Sequence, residues 1–126
     1  MHATLIVAIL VTTAMAVQAQ AQAQAQEPHP MVTAARKVVE IISSDPAKID
    51  TYCAIGKLGV QIEDANEAKE KKMADALTQK MRALEKQLGP EYLTFMAGLQ
   101  EMDPESDDGV EIEAMLRPLD RSCARE

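Results

Sequence analysis

Two cysteines, a single histidine beyond the first residues and a run of carboxylates are the side chains in this sequence that could do chemistry. Cys53 and Cys123 are its only cysteines. An even pair in an oxidising compartment reads as a disulfide. On a chain-entropy argument, a bridge closing a loop of about 70 residues is worth about 4 kcal/mol. Apart from His2, the only histidine is His29, held between Pro28 and Pro30. A helical domain after it therefore lacks an imidazole base. C-x-x-C-H is absent, which excludes a c-type haem, and one histidine is too few for a b-type haem or a structural zinc.

The acidic stretch from Asp103 to Glu113 invites a calcium reading and fails it. With Asp103 as the first loop position, Asp108 stands where glycine is needed and Ala114 stands where the bidentate glutamate is needed. The later methionines, Met31, Met73, Met81, Met96, Met102 and Met115, are scattered on apolar stripes, which suits core filling better than copper binding. Carboxylates such as Asp107 and Glu111 fall on exposed turns, with no sign of the buried environment that acid–base catalysis uses. No catalytic, cofactor-binding or metal-ligating residue is assigned, and no enzymatic activity is expected.

The formal charge is −7, and every charged side chain lies at or after Glu27. Nucleic acids and anionic membranes require clustered Lys or Arg, so this balance excludes both as partners. The only aromatics are Tyr52, Tyr92 and Phe95, too few to suggest a base-stacking or sugar-stacking surface.

Ala3–Val17 is apolar and uncharged, too short for a comfortable membrane span and the right length for a signal-peptide core. Small residues follow it. Val17-Gln18-Ala19 is the preferred cleavage triplet, with Ala19-Gln20-Ala21 and Ala14-Met15-Ala16 as alternatives, and the cut could fall as late as 26. The reading is a signal peptide over 1–19, an Ala/Gln/Pro spacer without a core over 20–30, and one helical domain over 31–126. Export places the domain in the periplasm or outside the cell, free of the membrane after cleavage.

Strand signals are missing from the domain, and strong helix formers dominate it. The expectation is an all-α fold: a small antiparallel bundle of four to five helices with one disulfide. A first helix over Met31–Ile42 carries Val32, Ala35, Val38, Val39 and Ile42 on one stripe. Asp45-Pro46 opens the next. From Pro46 to Leu88 nothing breaks the helix. Ile49, Tyr52, Cys53, Gly56 and Val60 share one face, and Met73, Leu77, Met81, Leu84 and Leu88 another. Glu63–Lys72 between them is charged. Either one helix of about 63 Å runs through, or the chain turns near Asn66–Lys72; two helices are slightly favoured. Gly89-Pro90 ends that segment and starts a helix over Pro90–Met102, with Tyr92, Leu93, Phe95, Met96 and Leu99 inward. Asp108 with Glu111 reads as a capping box for a last helix over Gly109–Cys123 that buries Val110, Ile112, Met115, Leu116 and Leu119, with Pro118 kinking it or ending its regular part. Gly56, costly in mid-helix, is expected to let the last helix approach beside the disulfide.

Asp45-Pro46-Ala47-Lys48, Tyr52-Cys53, Leu88-Gly89-Pro90-Glu91-Tyr92, Asp103-Pro104-Glu105-Ser106 and Leu119-Asp120 with Cys123 together resemble a group of short, uncharacterised exported helical proteins of bacteria. The resemblance covers Asp45–Cys123 and implies a secreted or periplasmic helical fold, with no stated activity. The periplasmic chaperones related to Spy carry L-T-x-x-Q, whereas here Leu77-Thr78 leads to Met81 where the glutamine belongs. The functional expectation is a non-enzymatic interaction or stress-accessory module with a protein partner in the envelope. The alternative is a binding protein for a small apolar ligand or a metal. Intact mass of the exported protein checks the leader and the bridge together: the chain is shortened at 16–26, and alkylation adds mass only after reduction. An uncut chain or two thiols that alkylate without reduction would overturn the reading.

Overall fold

The computed structural model describes residues 29–125. The leader read at 1–19 and the spacer up to Pro28 lie outside the described residues, as does Glu126. Five helices follow one another among the described residues: α1 (Pro30–Ser43), α2 (Pro46–Glu67), α3 (Lys71–Leu88), α4 (Pro90–Leu99) and α5 (Asp107–Cys123). They form a small all-α bundle, as expected.

α1 is central. Val32, Ala35, Val38 and Ile42 are buried on its expected stripe, and the helix packs on α2, α4 and α5. It starts one residue earlier than expected, because the His29 ring accepts a hydrogen bond from the Met31 N–H at 3.2 Å and Pro30 occupies the first turn, where a missing N–H costs nothing. Asp45 caps α2 as the sequence indicated, its Oδ1 accepting from the Ala47 N–H at 2.9 Å.

The long segment is two helices. α2 ends in a Schellman turn: the Glu70 N–H donates to the Ala65 carbonyl at 2.8 Å and the Lys69 N–H to the Asn66 carbonyl at 3.0 Å. Lys69 takes the left-handed conformation (φ 59°) that such a turn requires. The chain then folds back so that α3 lies along α2. Leu58, Ala65 and Ala74 are buried outside the main core cluster. The far half of this hairpin therefore forms an arm beyond the bundle, with Val60 and Met73 exposed.

Several expected positions change. On α2 the buried side chains are Cys53, Ile55, Leu58 and Ala65, so Gly56 and Val60 sit on an outward wall. Leu93 and Val110 are exposed. The Asp108 capping box does not form: Ser106 is the cap, its Oγ accepting from the Gly109 N–H at 3.1 Å, and α5 starts at Asp107. That start turns Gly109 inward, where an added Cβ would lie 2.6 Å from the Asp103 carbonyl oxygen, and it leaves Val110 outward. α5 continues through Pro118 to Cys123. α4 ends at Leu99, three residues short of the expected Met102. Gly98 lies against the end of the Met31 side chain there, and a Cβ on it would displace that flexible thioether.

The left-handed Lys69 has a direct test. A non-glycine residue in that conformation costs about 1–2 kcal/mol, part of which glycine gives back as unfolded-chain entropy. Lys69→Gly is expected to raise unfolding free energy by about 0.5–1 kcal/mol in denaturant titration. A loss of stability would contradict the turn.

Candidate functional site

The disulfide forms as expected. Cys53 on α2 and Cys123 at the end of α5 are bonded, with Cα atoms 5.3 Å apart. The side chains beside it bind as well: the Tyr52 hydroxyl donates to Asp120 Oδ1 at 2.8 Å. Two neighbouring links thus hold α2 against α5, one covalent and one polar.

Where α4 comes alongside, the three helices leave an open groove of about 560 Å³. Such a volume falls in the range of small-molecule sites, which are mostly apolar with a few placed polar groups. Ile55, Val60, Met96, Leu99 and Leu116 supply its apolar lining. The disulfide lies in its wall, and Tyr52 and Asp120 provide a polar end. Lys57 also reaches this wall and has an interaction of its own.

Gly56 belongs to the same wall. An added Cβ there would meet no atom within 4 Å. This corrects the expectation that Gly56 admits the last helix: it faces open space, and the approach of α5 at that level is set by the disulfide and the Tyr52 to Asp120 hydrogen bond. The close approach that does need glycine is at Gly109, where an added Cβ would meet the Asp103 and Pro104 backbone.

All three aromatic residues of the chain, Tyr52, Tyr92 and Phe95, line this one groove. Their small number argued against a stacking surface, but the fold concentrates them. Burial first, and then the hydrogen bond to Asp120, raises the Tyr52 phenol above its ordinary range. Burial, with Glu85 nearby, pushes Tyr92 up to about 12. Both phenols are donors, not bases, at neutral pH.

Sequence reading identified the two cysteines and missed Asp120 and Tyr52 as a pair. The spacing carried a clue: Tyr52 precedes Cys53 and Asp120 lies one helical turn before Cys123, so a bridge brings both within reach. Among the described residues, no three His, Cys, Asp or Glu side chains converge as metal ligands, and no helix is long and apolar enough to cross a membrane. Compared with known protein families, curated proteins and solved structures, the chain and its fold match none.

The Tyr92 environment sets a pH dependence. A phenol whose pKa is higher in the fold than in the unfolded chain favours folding while it is protonated. Its contribution is fully present below about pH 10 and is lost as pH rises through about 12. Unfolding free energy should therefore fall across that interval, and less steeply in Tyr92→Phe. A flat wild-type profile there would rule out the buried phenol.

Proposed function

We propose that this chain is a non-enzymatic binding module of an extracytoplasmic compartment, and that the groove between α2, α4 and α5 takes a small apolar ligand. The observation that carries the reading is the bare backbone at Gly56. A glycine in the middle of a 22-residue helix weakens it by about 0.5–1 kcal/mol against alanine. No neighbouring helix uses the space that glycine leaves. What the missing side chain does is keep the groove open. The disulfide and the leader read in the sequence support that compartment, since structural disulfides persist in oxidising surroundings.

The arm formed by α2 and α3 favours a second reading, the protein-interaction module expected from the sequence. Its exposed Val60 and Met73 are apolar side chains on a projecting element. Crosslinks from the native envelope that map to 60–77 would support that use of it.

Phenylnaphthylamine, a neutral apolar dye that fluoresces when desolvated, tests the groove. Saturable enhancement is expected with the wild type. Gly56→Leu places a side chain in the open space, so it should abolish the enhancement while holding or raising the melting temperature. Dye binding that survives Gly56→Leu in a folded protein would sink the proposal.

A further inference from the structure

The turn that joins α2 to α3 is made of residues that prefer not to turn. Ala68, Lys69, Glu70, Lys71 and Lys72 are all strong helix formers, and no proline lies between Pro46 and Pro90. Lys69 nevertheless takes φ 59°, a conformation that is costly for residues other than glycine. Residues 66–73 are exposed, so the reversal is held by the backbone bonds of the Schellman turn and not by buried side chains. Beneath it the hairpin leaves an open cleft over Ala65, Ala68, Met73 and Leu77. Short hinges under strain favour the exchange of halves between two copies of a chain.

We infer that the arm is an interface for a second copy of this chain: α2 and α3 straighten into one helix of about 63 Å, and residues 30–67 of each copy pack on residues 71–123 of the other. The exchange gives up no core packing. α2 on α3, α1 on α4 and α5, and α2 on α5 are rebuilt between copies, while α1 on α2 and α3 on α4 stay within one. The straightened helices run antiparallel, so Glu63, Asp64 and Glu67 of one copy come alongside Lys69, Lys71 and Lys72 of the other. Cys53 and Cys123 fall on opposite sides of the hinge. The dimer therefore carries two bridges, each from Cys53 of one copy to Cys123 of the other. The groove becomes shared as well, with Gly56 from one copy and Met96 and Leu116 from the other. The exchange is independent of any ligand in that groove and of any other partner on the arm.

The bridge locks whichever form it closes in. To open it, a small thiol attacks the disulfide and leaves one cysteine as a mixed disulfide and the other as a thiolate. The thiolate of one copy then expels the small thiol from the other copy, so no electrons are gained or lost.

Isotope-labelled and unlabelled protein can be mixed, held at rising concentration in a glutathione redox buffer, quenched by alkylation and separated by size. A helical dimer is expected whose share grows with concentration. Its bridges should join only Cys53 to Cys123 and include pairs of one labelled and one unlabelled peptide. Lys69→Gly relaxes the closed turn and weakens the open helix, so it should lower the dimerisation constant about tenfold or more. Monomer at every concentration, links from Cys53 to Cys53 or Cys123 to Cys123, bridges without mixed labels, or a dimer share untouched by Lys69→Gly overturns the exchange.

Discussion

The stripe on α1 is the surface on which the rest of the structure depends. Val32, Ala35, Val38 and Ile42 are almost completely buried, and α2, α4 and α5 all pack against their helix. Each large aliphatic side chain buried there contributes about 1.5–3 kcal/mol. Phe95 from α4, Ile112 and Leu119 from α5 and Ile55 from α2 complete the same cluster. Ala35 has no exposed surface at all; so small a residue at the centre lets the neighbouring helices close in. The disulfide comes second in this hierarchy. It is worth about 4 kcal/mol on the entropy model and joins two helices that α1 already gathers. The Tyr52 to Asp120 hydrogen bond is solvent-exposed and too weak by itself to hold the fold. Its effect is to fix where a carboxylate points.

The groove follows from that arrangement. α2 has two apolar sides. One carries Ile55, Leu58 and Ala65 into the core and against α3, and the other carries Tyr52, Cys53, Gly56 and Val60 toward α4 and α5. α4 is only 10 residues long and is seated by Phe95. It runs beside α2 without closing the space above Gly56. Tying α5 to α2 at Cys53 fixes one boundary of the opening, and Met96 and Leu99 on α4 fix the other.

Where the sequence was legible, the signal was a residue with a fixed backbone preference. Asp45-Pro46 and Gly89-Pro90 mark helix boundaries because proline and a left-handed glycine permit little else; Gly89 has φ 102°. The apolar stripe of α1 was legible because only one face of that helix is apolar. The turn after α2 was less so. Its left-handed position is held by Lys69, a residue with no preference for it, and the bonds that stabilise it are between backbone groups. The start of α5 was misplaced by two residues because Ser106, Asp107 and Asp108 are all competent caps, and Gly109 decides between them through its contact with the loop backbone. The face of α2 was misread for a related reason: apolar residues lie on both sides of it, and periodicity cannot say which side meets the core.

Gly56 is where local and tertiary reasoning part company. Sequences that specify a fold agree across levels, and departures concentrate where something other than stability is served. Gly109 is not a departure, because a side chain there would strike the loop backbone, and a side chain at Gly98 would displace the end of Met31. At Gly59 a Cβ would rest in ordinary contact, 3.7 Å from the Met81 methyl, so space gives no reason for glycine there. Gly56 has none either. Alanine would fit and would strengthen the helix; leucine would cover apolar surface that Leu116, Met96 and Val60 now leave to solvent. The same glycine stands beside the disulfide, within a groove that collects every aromatic ring in the chain. Stability alone would have closed this opening, so the opening itself is the feature that needs a purpose.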